Sequence, residues 1–158
     1  MKIITIIMLA LLMACNNPEN TIKENNNNVP VNADTSINNN ITGCYIQVLQ
    51  RDSTFAKLKQ EGNQVSGTLM FDNYEKDGSA GTLTGTRDGN ILKLRYDFQS
   101  EGLSSVMDLF FKIEGDQLVR GIGDMTTKGD TAYFTNPSLI SYPPGTTLNK
   151  ISCDSLKN

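Results

Sequence analysis

Beyond residue 42, apolar and polar positions alternate one for one. Leu92, Leu94, Tyr96 and Phe98 are separated by Lys93, Arg95 and Asp97. Met107, Leu109, Phe111 and Ile113 alternate with Asp108 and Lys112, with Phe110 as an apolar residue on the polar side. Val65, Leu69 and Phe71 share a parity opposed by Ser66, Thr68 and Met70. A period of two marks half-buried antiparallel strands, one face dry and the other wet. Turn pairs such as Gly62-Asn63, Asp77-Gly78, Asp88-Gly89 and Gly115-Asp116 separate the runs and supply the positive φ that tight hairpins need. No proline occurs between Val31 and Asn136, which suits strands whose N–H groups must all pair. The pattern predicts eight strands, at 43–50, 53–60, 64–74, 79–87, 90–99, 104–113, 117–124 and 130–135. Short connections make this an all-β, up-and-down antiparallel meander, and closure into a small barrel would remove its two open edges. Asn136-Pro137 and Pro143-Pro144-Gly145 then predict an irregular C-terminal segment, with 147–153 as a short strand or one helical turn.

The residues before 42 follow a different rule. Lys2 and the apolar run at 3–11 have the form of a secretory signal, and Leu12-Met13-Ala14-Cys15 resembles a lipobox, the site read by bacterial lipoprotein signal peptidase. The run falls short of the about 20 apolar residues that a membrane-spanning helix needs. Residues 1–14 are therefore expected to be a lipoprotein signal peptide and Cys15 the lipidated first residue of the mature chain. Its acyl chains, palmitate or similar, would act additively, since one chain binds a membrane only marginally. The segment 16–41 is asparagine-rich, with Asn25-Asn26-Asn27-Asn28 and Asn38-Asn39-Asn40, and carries neither glycine nor an aromatic residue. Too poor in apolar surface to offset its ordering entropy, it is expected to be a disordered tether, with a mean reach of about 30 Å on a flexible-coil estimate. The expected organisation is signal at 1–14, lipidated Cys15 with tether at 15–41, and β-barrel domain at 42–158. The expected location is the bacterial cell envelope, lipid-anchored in the outer membrane.

Composition narrows the chemistry. With a net charge of −3 and no basic cluster, nucleic acid is not an expected partner. Histidine is absent, which removes the commonest general base, the histidine-activated nucleophiles and the usual zinc ligand. Of three cysteines, lipid would take Cys15 and leave Cys44 and Cys153. In an oxidising compartment a bridge between them is expected, with two buried free thiols as the alternative. Alternation sets Cys44 opposite Tyr45 but does not say which of them faces inward.

Gly43-Cys44-Tyr45 at the start of the first strand is similar to the Gly-x-Trp opening of lipocalin-like barrels, with tyrosine in place of tryptophan. Residues 43–113 resemble small lipoproteins of the Bacteroidetes group, through Gly43-Cys44-Tyr45, Tyr74-Glu75-Lys76-Asp77, Gly81 with Gly85, and Phe98-Gln99-Ser100-Glu101-Gly102 followed by Ser105. That resemblance implies compartment and a lipocalin-like fold and brings no activity with it. The domain is also broadly similar to envelope-stress lipoproteins that carry C-x-x-C, a motif this chain lacks.

Glu75, Lys76, Asp77 and Glu101 form the candidate polar-turn site. A carboxylate cluster there could do acid–base work or hold a hard cation, while plain solvated hairpin tips would need no further cause. No metal and no cofactor is expected, and the chain is not expected to be an enzyme. The leading expectation is a non-catalytic interaction module for an envelope protein partner. Binding of a small apolar or amphipathic ligand in the barrel is the alternative, and a carboxylate-dependent hydrolase comes last. A packed interior would favour the first, and a cavity above about 300 Å³ the second. The lipobox reading makes its own prediction. Cys15→Ala should move the protein from the detergent phase to the soluble fraction and abolish incorporation of labelled fatty acid; a variant that still partitions with membranes and still takes label would refute it.

Overall fold

The computed structural model describes residues 40–156. The expected signal peptide, the expected lipidation site Cys15 and all but the end of the expected tether lie outside the described residues. Ten strands form one sheet: β1 (Gly43–Leu49), β2 (Asp52–Glu61), β3 (Gln64–Asp72), β4 (Ser79–Asp88), β5 (Ile91–Ser100), β6 (Leu103–Glu114), β7 (Gln117–Arg120), β8 (Met125–Lys128), β9 (Thr131–Phe134) and β10 (Thr147–Ile151). Strands β1 to β7 pair in sequence order, and β10 closes the ring between β7 and β1. The result is an eight-stave antiparallel meander barrel with a two-stranded appendage, and the period-two text is the reason for it. Leu92, Leu94 and Tyr96 are buried, whereas Lys93, Arg95 and Asp97 are exposed. Apolar residues inside and charges outside reverse the arrangement a membrane-spanning barrel requires.

One stave differs from expectation. The stretch at 130–135 does not close the barrel; β8 and β9 form a hairpin that leaves it, and β10 is the eighth stave. Strand β9 pairs with the barrel through a short parallel ladder, Val106 with Thr131 and Met107 with Ala132. The seventh stave also ends early, at Arg120 rather than 124, and Ile122 makes a single bridge to Ser141. Close approach explains the break. A Cβ on Gly121 would collide with Ile140 Cγ2, and one on Gly123 would press on Phe134 and Ile140. The chain beyond β9 thus lies against the glycines instead of extending a strand. The same cover accounts for Phe110, whose outward ring meets Phe134 edge to face at 5.3 Å. Asp108 also lies on this side of β6. Burial raises its pKa, against the lowering pulls of Arg95 and of a backbone hydrogen bond from Phe134.

The interior is packed at the end where β1 begins. Leu58, Val65, Leu92, Phe111, Leu118 and Leu148 meet there around Tyr45. Ile41 belongs to this cluster, so the folded unit begins one residue before the expected boundary. The Tyr45 hydroxyl donates to the Ile41 carbonyl at 2.9 Å, and the Ile41 N–H donates to Gln60 Oε1 at 3.3 Å, which draws the entering chain across the barrel end as a plug. Hairpins at Gly62-Asn63, Gly89-Asn90 and Gly115-Asp116 surround it, each glycine at a φ near 60°.

Cys44 and Cys153 are bridged, with Cα atoms 5.2 Å apart and a sequence separation of 109. Tyr45 faces the core, so Cys44 faces outward, and it is nonetheless buried. Its partner stands at the start of the 3₁₀ turn Cys153–Leu156, directly after β10, so the expected strand and helical turn are both present in succession.

Two outcomes follow from this packing. Reduction of the bridge, or a Cys44→Ala/Cys153→Ala double variant, should lower stability by about 4–5 kcal/mol on the loop-entropy model, read as a loss of midpoint in urea unfolding; an unchanged midpoint would mean that β10 holds without its clasp. The second concerns Tyr45, whose pKa is pushed up from 10.0 to about 12, chiefly by burial and then by Asp116. A phenol with a raised folded-state pKa contributes stability that is complete below pH 10 and lost as pH rises towards 12. Tyr45→Phe should cost about 1–2 kcal/mol at pH 7, through the orphaned Ile41 carbonyl, yet lose less stability than the wild type over that alkaline interval. Denaturant melts at both pH values would check the crossover.

Candidate functional site

Towards the other end of the barrel the inward residues change character. Strand parity carries the inner face from Tyr45 to Gln47 and Leu49 on β1, from Ala56 to Thr54 on β2 and from Leu118 to Arg120 on β7. With Phe71 on β3, Asn73 just after it, Ser79 on β4 and Met107 on β6, these residues line an open cup of about 380 Å³ at the barrel mouth. Tyr96 is fully buried beside it. Its ring stacks on Phe98 at 4.6 Å and meets Phe71 edge to face at 6.0 Å. Its hydroxyl lies 3.1 Å from Ser79 Oγ and donates to the Leu69 carbonyl at 3.2 Å. This aromatic layer stacks the inner residues next to the cup and holds Phe71 in place. Burial raises the Tyr96 pKa, so the phenol stays a neutral hydrogen-bonding group across the physiological range.

Arg120 is the cup's cation. It is half-buried, and burial alone lowers its pKa from the ordinary value. Its guanidinium stands 5.3 Å from the centre of the Phe71 ring, within cation–π range. Asp52 lies at the rim, where its Oδ1 accepts the Tyr74 N–H at 2.8 Å. Gln47 donates its side-chain N–H to the Gly145 carbonyl at 2.7 Å, which fixes the amide at the cup wall. The resulting cup has one apolar side, from Leu49, Phe71 and Met107, and polar groups that converge on it from several strands.

The polar turns are placed differently. Asp77 and Glu101 come together: a hydrogen bond between the two carboxyl groups raises the Glu101 pKa, with like-charge repulsion adding to it. Both are exposed, as are Glu75 and Lys76. Glu75 and Glu101 adopt positive φ, 57° and 51°, as turn residues. Among the described residues no group of three histidine, cysteine or carboxylate side chains is placed to hold a metal ion. The turns therefore pair two carboxyls at a hairpin tip and build no cation cage. Gly121-Ile122-Gly123 has a packing role, as described above.

The sequence pattern did not single out Arg120, Gln47 or Thr54, although its signal contained them. Each lies two residues from an apolar position of the inner face. A strand taken to run on to residue 124 gave Arg120 no distinct place, whereas β7 ends there. No family model, curated protein or solved structure matches the chain, so its function is argued from this geometry.

Proposed function

We propose that this protein is a lipid-anchored, non-catalytic binding module of the bacterial cell envelope, and that its barrel mouth takes a small amphipathic ligand. The observation that carries the reading is the divided interior. A core of Tyr45, Leu92, Phe111 and Leu118 packs one end, while the other opens into the cup of about 380 Å³. That volume lies in the range of small-molecule sites, which combine apolar walls with a few placed polar groups. The chain enters the barrel at Ile41, on the plugged end. Cys15 supplies the anchor in this reading, on the strength of the lipobox.

A second reading has its own observation. Val48, Leu49 and Leu103 are 66%, 59% and 69% exposed. They sit on the β1–β2 and β5–β6 hairpins at the open end, where an apolar rim could dock an envelope protein. The cup is preferred because it offers converging hydrogen-bonding groups as well as apolar surface.

The neutral fluorophore N-phenyl-1-naphthylamine separates the two. The wild type should bind it saturably at one site, and Thr54→Trp, which fills the cup, should abolish binding while leaving the melting temperature near that of the wild type. Absence of saturable binding, or binding that Thr54→Trp leaves intact, would remove the cup from consideration and leave the rim.

A further inference from the structure

We infer that Arg120 makes the cup a receptor for small organic anions, with a carboxylate or sulfonate on its guanidinium and the apolar part of the ligand against Phe71, Leu49 and Met107. This rests on the cup being a ligand site, as proposed above.

The placement of charge is the argument. The lysines of the four ion pairs, Lys59, Lys93, Lys112 and Lys150, each reach a carboxylate: Glu61, Asp88, Glu114 and Asp116. Those pairs are solvent-exposed and contribute little. Arg120 has the opposite situation. It is half-buried and lines the cup, and although its carbonyl accepts from Thr146 Oγ1, its guanidinium makes no hydrogen bond or ion pair to any described residue. No fully buried side-chain nitrogen or oxygen among the described residues lacks a partner, so the unpaired guanidinium nitrogens retain solvent access, and the open volume that Arg120 lines is the cup. The carboxylate that lines the same cup, Asp52, accepts the Tyr74 N–H.

A half-buried cation without a counter-charge works against folding. An anionic ligand would supply that counter-charge. The planar fork of arginine offers parallel N–H donors matched to a carboxylate, and the Phe71 face limits how far the fork can swing. Thr54 and Ser79 line the same volume and could accept or donate to the remaining ligand oxygens. A cup of about 380 Å³ fits one or two rings or a short chain rather than a long lipid.

The test pairs a charged and a neutral fluorophore on the full folded domain. 1-Anilinonaphthalene-8-sulfonate should bind the wild type, and octanoate should displace it far better than 1-octanol. In Arg120→Met the sulfonate probe should bind about tenfold or more weakly, the size of a lost charge-assisted hydrogen bond, and the preference for octanoate should vanish. N-phenyl-1-naphthylamine should bind Arg120→Met and wild type alike, which also reports that the variant is folded. Arg120→Lys should recover part of the anion preference. If the neutral probe binds but the sulfonate and octanoate preferences survive in Arg120→Met, the anion role of Arg120 is wrong and the cup remains a ligand site. If neither probe binds the wild type, both readings fall together.

Discussion

The five residues of β10 keep the barrel closed. They pair with β1 through Cys44–Ile151, Tyr45–Lys150 and Ile46–Asn149, and with β7 through Thr147–Val119, Leu148–Leu118 and Asn149–Gln117. Staves β1 to β7 pair with neighbours in sequence, at small loop-closure cost. Closure is the step that must bring the two ends of the domain together, and it places Leu148 beside Leu118 in the core that Tyr45 and Ile41 share. Without it, β1 and β7 would be open edges, and half the wall around Tyr45 would be missing. The Cys44–Cys153 bridge stands immediately beyond β10, where it adds the largest restriction on the unfolded chain for one covalent bond. A short strand with six register pairs is a weak fastening, and the bridge compensates for that.

The fold was largely legible because the alternation is strict where the barrel is densest. Leu92, Leu94 and Tyr96 face in, Lys93, Arg95 and Asp97 face out, and no other period fits that text. Legibility failed where burial comes from outside the barrel. Phe110 broke the outward set because Phe134 covers it, and Gly121 and Gly123 looked like strand residues although Ile140 and Phe134 pack on them. Both are tertiary contacts across many residues, and no local pattern encodes them. The closing stave was legible in part, since 147–153 was expected as a short strand or one helical turn and β10 is that strand. Residues 147–151 have little period-two character of their own, and their strand conformation is set by two waiting edges. The bridge was legible only because cysteine arithmetic left one pair.

The candidate site was written in the sequence as a set of exceptions to its own pattern. Reading inward along a strand from the plugged end, aliphatic residues give way to Thr54, Gln47, Ser79 and Arg120 at a similar depth. The strand pairings show why the change falls there. On β6, residues Phe111 to Glu114 pair with β7, but Val106 and Met107 pair with β9. On β1, Cys44 to Ile46 pair with both neighbours, whereas Gln47 to Leu49 pair with β2 alone. The wall between β1 and β6 is therefore continuous around the core and interrupted beside the mouth. Side chains at that level cannot be packed from all sides, so apolar residues would gain less from facing inward.

That loosening explains how polar residues are tolerated at the mouth, but it does not explain Arg120. An interrupted wall could be lined with threonine or serine at little cost, since their hydroxyls find water or one another. A guanidinium placed halfway into the barrel loses hydration, and no hydrogen bond or ion pair among the described residues replaces it. Its charge also lacks the structural use that the exposed lysines have in their ion pairs. Where a sequence breaks its binary pattern with a charged group that works against the fold, the break is better assigned to a bound state than to the fold. The Phe71 ring supports this, because it orients the cation without neutralising it. Anion recognition at the mouth needs an oriented charge whose donors are still unspent, and Arg120 alone among the cup residues has both properties.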